Sequence, residues 1–186
     1  MSQIDYEINK ELGECYLFMG ELDKARSYYQ KAAADSSACA DPYLGLAAIA
    51  VSEGSLPEAL DLYRKAHDVA PGVKSLTGMA MVEAELGSRE EAFAHYRAVL
   101  ELDPGNMLAI NNYLQLGHAL NRLEEVIPFL EAALAEAEDA EVIRYALAGC
   151  LTVLGREEEA KSHLEILLRE NPSHDVAQQL YAQFAA

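Results

Sequence analysis

Residues 54–71 read GSLPEALDLYRKAHDVAP, and this stretch decides the fold. Ala59, Leu62, Tyr63 and Ala66 follow the i, i+3, i+4, i+7 spacing of a single helix face. Pro57 falls in the first turn of that helix, where its missing N–H costs nothing. Upstream, Tyr43 to Val51 reads as a second helix. Gly54 supplies the left-handed backbone that ends it and lets the chain reverse. The stretch therefore predicts a helix, a short turn and an antiparallel helix.

Working outward, the same unit recurs. Gly20, Gly54, Gly87, Asn121 and Gly155 are separated by 34, 33, 34 and 34 residues. Ala25, Ala59, Ala92, Val126 and Ala160 repeat those intervals. So do Tyr29, Tyr63, Tyr96, Leu130 and Leu164, and also Ala32, Ala66, Val99, Ala133 and Leu167. Pro71, Pro104 and Pro172 close units in the same register. Asn121 replaces glycine in the fourth unit, and asparagine is the next best residue for a left-handed backbone. Periods of this length mark stacked helical arrays.

The pattern resembles the tetratricopeptide repeat family. Leu12-Gly13, Tyr16, Gly20, Ala25, Tyr29 and Ala32 carry the best match, followed by Leu46-Ala47 through Pro71 and Met79-Ala80 through Asp103-Pro104. The resemblance implies an all-α chain, a right-handed α-solenoid of five helix-turn-helix units spanning 6–39, 40–72, 73–106, 107–140 and 141–174 in a single array. Residues 175–185 read as a capping helix whose apolar stripe is Val176, Leu180, Tyr181 and Phe184, with glutamines opposite. At the other end, Ser2 and Asp5 read as a capping box. Glu83 and Gly117 stand where the first unit has Tyr16, so Glu83 must reach water or a partner. Pro128, in the second turn of its helix, predicts a bend.

Composition bounds the function. Lys and Arg number 14 against 31 Asp and Glu, a net charge of −17. Phosphate binding needs clustered cations, so nucleic acid, including the RNA bound by pentatricopeptide arrays of similar period, is excluded as an expected partner. An anionic membrane surface is disfavoured for the same reason. No apolar run approaches the ~20 residues of a membrane span, and the start of the chain carries no signal-peptide pattern, so a cytoplasmic location is expected. Three cysteines, Cys15, Cys39 and Cys150, fit neither a disulfide framework nor a zinc site. Cys15 and Cys150 fall at apolar helix positions and read as core residues.

No catalytic, metal or cofactor constellation emerges. Ser173-His174-Asp175 spells triad letters, but consecutive side chains do not converge on one hydrogen-bond line. His67, His95, His118, His163 and His174 show no i, i+4 pairing for metal. Glu157-Glu158-Glu159 suits a helix N-terminus. The chain is expected to be no enzyme.

The resemblance implies instead that the first helix of each pair lines a concave surface that takes a partner protein or peptide. Residues off the intra-pair stripe give the candidate binding set: Leu44, Lys74, Met81, Leu108, Asn111, Asn112, Gln115 and Tyr145, with His118 on the same side. Amides satisfy a peptide backbone, and Met and Leu accept apolar side chains. Leu108 and Val142 read equally well as packing between neighbouring units. A clamp for acidic chaperone tails is not expected, because Glu14, Gly45 and Gly78 stand where that subgroup needs asparagines and an arginine. The leading expectation is a non-catalytic adaptor. A chaperone for an apolar exported segment, or an accessory repeat subunit of an enzyme such as a glycosyltransferase, are the alternatives. Apolar residues on the end helices leave self-association open.

Overall fold

The computed structural model describes residues 3–35, 38–137 and 140–185, and the expected capping box at Ser2 lies outside them. Two compact units form, residues 1–102 and 103–186. The first contains α1 (Gln3–Phe18), α2 (Leu22–Asp35), α3 (Asp41–Ser52), α4 (Leu56–Val69), α5 (Val73–Glu85) and α6 (Arg89–Leu102). The second contains α7 (Met107–Ala119), α8 (Leu123–Glu136), α9 (Glu141–Val153), α10 (Glu157–Glu170) and α11 (Asp175–Ala182), extended by a 3₁₀ turn at Gln183–Ala185. Among the described residues there is no β-strand.

The five turns inside the pairs are built alike. Gly20, Gly54, Gly87 and Gly155 have φ between 72° and 82°, and Asn121 takes the same region at 57°. At the second of them the Gly54 N–H donates to the Val51 carbonyl (3.0 Å) and the Ser55 N–H to the Ala50 carbonyl (2.8 Å). This double closure is the Schellman motif, and it satisfies carbonyls that a helix end otherwise leaves orphaned. The Asn121 turn repeats it, with Arg122 N–H donating to the Gly117 carbonyl at 2.7 Å. The period seen in the sequence is thus the period of the turn chemistry.

Packing within the first unit is a ring-against-glycine fit. Tyr29 of α2 is buried, and a Cβ placed on Gly45 of α3 would lie 2.3 Å from its ring. A Cβ on Gly13 of α1 would lie 2.8 Å from the other part of that ring. Gly78 of α5 stands in the same relation to Tyr63 of α4, again at 2.3 Å. Tyr29 and Tyr63 therefore lock the first and second pairs each to the pair that follows. Arg26 of α2 strengthens the outer side by pairing with Glu53 and Glu58. In the second unit Tyr113 and Phe129 meet edge to face at 5.3 Å, a geometry that aligns ring edge with ring face.

Three expectations change. Cys15 is exposed rather than in the core, whereas Cys150 is buried and its thiol is pushed up to about 11 by that burial. The cap contributes Ala177, Leu180, Tyr181 and Phe184 to a cluster with Ala148, Leu164 and Leu167, but Val176 faces solvent. Asp175 opens the helix, and Ala177 lies on the face that the stripe 180, 181, 184 extends. Leu108 and Val142 are 46% and 57% exposed, so neither is packed away. Glu83 does find partners: it is buried, with His95 Nδ1 at 2.6 Å and the Arg64 guanidinium at 3.7 Å.

Candidate functional site

α7 is started by Asn106, whose Oδ1 accepts from the Ala109 N–H at 3.0 Å while its amide donates to Asp103 (3.0 Å). From this fixed start, helical spacing puts Leu114, Gln115 and His118 on one face near the C-terminal end of α7. The left-handed turn at Asn121 then brings Leu123, the first residue of α8, back beneath them. α9 supplies the opposite wall through Tyr145, Ala146, Gly149, Cys150 and Val153. Together these residues enclose an open cavity of about 460 Å³, wholly within the second unit.

Its walls are mostly apolar, with Gln115 and His118 as polar groups, and no carboxylate lines it. Gly149 meets no neighbouring atom within 4 Å of where a Cβ would stand, so the cavity floor at this point has room for a side chain. Tyr145 is held from behind. Its ring lies 5.4 Å from that of His174, and it packs on the cluster around Ala148 and Leu164. His174 is itself fixed, with Nδ1 accepting from the Ala177 N–H (3.2 Å) and Nε2 facing Glu141 at 3.4 Å. Asn171 donates to the same Glu141 carboxylate at 3.0 Å. Tyr145 is therefore preorganised at the cavity wall by a capping histidine of α11.

Of the candidate residues, the cavity brings together Gln115 and Tyr145, with His118 beside them. Asn111 lies exposed on α7, one turn before Gln115. The Asn112 amide donates to the Leu108 carbonyl of its own helix at 2.8 Å, which occupies one of its donors. In the first unit Lys74 and Met81 are exposed on α5, and Leu44 is half-buried on α3. The sequence reading missed Leu114, Leu123, Ala146 and Val153. Leu114 and Leu123 look like ordinary core positions in sequence. The role of His174 was hidden in the letters Ser173-His174-Asp175, which serve as a helix start. Among the described residues no helix is long and apolar enough to cross a membrane.

Comparison with known proteins gives the fold its family. Family models described as tetratricopeptide repeat match residues 10–72, 73–106 and 118–184. The chain is 32% identical over 111 residues to the BBSome complex member BBS4 of Bos taurus, a match that takes in 59% of this chain and 21% of BBS4. The chain thus spans about a fifth of the length of that relative. Among solved structures it is similar to YrrB, described as a TPR protein with an unusual peptide-binding site, at 19% identity and a TM-score of 0.68, covering 92% of this chain and 89% of YrrB. It is also similar to a tetratricopeptide repeat protein from Parabacteroides merdae, at 22% identity and a TM-score of 0.71, covering 96% and 72% of the two chains. At these identities the structures speak for the fold alone. The turn period, the tyrosine-on-glycine packing and the three family matches agree, and the chain belongs to the tetratricopeptide repeat family.

Proposed function

We propose that this protein is a non-catalytic interaction module that holds an extended or helical segment of a partner protein against the first helices of its pairs. Proteins of this family generally mediate protein–protein interaction. The observation that carries the reading is the 460 Å³ cavity between α7 and α9. It has apolar walls to take one anchoring side chain, an amide at Gln115 to meet a peptide backbone, and a tyrosine held rigid from behind. Leu108, Asn111 and Asn112 extend that surface along α7, and Leu44, Lys74 and Met81 provide the corresponding surfaces of α3 and α5. Membership of BBS4 in the BBSome complex favours a protein partner. The charge of −17 favours a partner that is neither nucleic acid nor an anionic membrane.

The test uses the open floor of the cavity. Gly149→Leu fills it and leaves the helix sound, since glycine costs about 1 kcal/mol in a helix interior. Wild type, Gly149→Leu, Tyr145→Ala and the outer-helix variant Glu158→Ala serve as baits in soluble lysate, with retained proteins quantified by mass spectrometry. A partner retained by wild type and Glu158→Ala but reduced about tenfold or more by the other two is the expected result. The same partner held equally by all four baits overturns the site.

A further inference from the structure

Among the described residues, nothing packs on the exposed side of α1. Counting by the repeat, Ile8 corresponds to Pro42, Ser75 and Ile143, all buried where α3, α5 and α9 lie on the preceding second helix. Cys15 corresponds in the same way to Ile49, Val82 and Cys150, also buried. In α1 the matching residues are open: Ile8 is 52% exposed, Ile4 69% and Met19, just past the helix end, 64%, with Cys15 exposed between them. Ile4, Ile8, Cys15 and Met19 form one row at helical spacing. Beside it runs a second row, Glu7, Glu11 and Glu14, all exposed. α1 carries four carboxylates against one lysine, and Lys10 lies 2.9 Å from Glu7 and 3.4 Å from Glu11.

The acidic row argues against a further repeat of the same kind as the occupant. Position 11 corresponds to Gly45 and Gly78, where the absence of a side chain lets the preceding tyrosine ring lie flat. Glu11 would set a carboxylate beneath that ring. An apolar row alongside an acidic row instead matches a helix carrying an apolar row beside lysines or arginines. We propose that α1 docks a cationic amphipathic helix of another protein, apolar row to apolar row, with its basic side chains on Glu7, Glu11 and Glu14. This surface shares no residue with the α7–α9 cavity, and the proposal stands or falls without it.

The probe is a fluorescein-labelled Leu/Lys amphipathic helix of about 18 residues, long enough to form several turns on a surface. Controls are a scrambled peptide of equal composition and a Leu/Glu helix. Anisotropy titrations are run in about 50 mM and about 300 mM salt, since contacts between charges weaken as the Debye length shrinks. The Leu/Lys helix is expected to bind, more weakly at high salt, and the two controls to bind about tenfold more weakly or not at all. Ile4→Ser with Ile8→Ser, and Glu7→Gln with Glu11→Gln and Glu14→Gln, are each expected to weaken it about tenfold. Glu157→Gln with Glu158→Gln and Glu170→Gln removes the same charge elsewhere and is expected to change it less than about twofold. Cys15 reports the location directly: bound peptide should slow its alkylation by N-ethylmaleimide, read by mass spectrometry. Equal loss in the charge control, or unprotected Cys15, overturns the proposal. So does loss in Gly149→Leu, which moves the peptide to the cavity, and so does a concentration-dependent dimer abolished by Ile8→Ser, which makes a second copy the occupant.

Discussion

His163 sits half-buried on α10, and its Nδ1 makes no hydrogen bond within the protein. Burial holds its pKa below the usual histidine range, Arg144 adds to the depression, and Glu131 and Glu159 oppose it. A histidine that is harder to protonate when folded gives stability that is fully present above its unfolded pKa. That stability is lost as pH falls below about 6.5 through the folded value. The second unit is therefore expected to lose stability on acidification through this window, with carboxylate protonation taking over further down. His163→Leu should flatten the slope just below about pH 6.5, measured by urea unfolding. An unchanged slope would assign the acid sensitivity to other groups. Legibility at this scale was uneven. Gly20 and its successors were readable because a left-handed turn has a strong residue preference. Gly45 and Gly78 were visible as letters, but their function of seating Tyr29 and Tyr63 joins residues on different helices and follows only from their packing. Cys15 misled for a related reason: its position in the pattern is apolar, yet among the described residues nothing packs over that side of α1.

At the scale of elements, α8 carries Pro128 inside the helix, on its exposed side. Proline there has no N–H to give to the carbonyl four residues back and crowds that turn. Its neighbours explain why the helix persists: Val126, Ile127, Leu130 and Ala133 are all buried. Burial of that stripe outweighs a local cost of about 3 kcal/mol. Pro128→Ala restores the backbone bond without disturbing the buried face, and is expected to stabilise the second unit by about 1–3 kcal/mol in denaturant unfolding. A neutral result would mean that the turn is already relaxed around the proline. The helix-turn-helix alternation was legible, because period, turn glycines and helix-starting acids all point the same way. The cap was readable as a helix and misread by one position in its stripe: Val176 is the obvious hydrophobe, yet Ala177 is the residue that is buried. The cavity was partly legible. Gln115, His118 and Tyr145 were named from their place off the intra-pair stripe, whereas Leu114 is half-buried and Leu123 serves both core and cavity, a double use that spacing alone does not reveal.

For the molecule as a whole, the excess of 31 carboxylates over 14 cationic side chains is the largest unspent interaction. Local pairs offset part of it: Arg122 binds Glu125, Arg156 binds Glu159 and Glu124, and Lys161 binds Glu158, with nitrogen–oxygen distances of 2.6–3.2 Å. All of these lie at the surface, where such a pair is worth about 0–1 kcal/mol. The remaining charges repel one another over longer distances, and folding brings them closer than the expanded chain does. Salt acts on the two contributions unequally. At about 0.1 M the Debye length is about 10 Å, so repulsion between distant carboxylates is largely screened while contact pairs keep most of their strength. The folded state should accordingly gain about 1–2 kcal/mol between about 10 mM and 300 mM NaCl, a rise in Tm of roughly 2–8 °C for a chain of this size. Circular dichroism melts across that range test it. A falling Tm would show that the surface pairs outweigh the long-range repulsion, and would place the stabilising electrostatics in Arg26, Arg122 and Arg156 rather than in relief of the net charge.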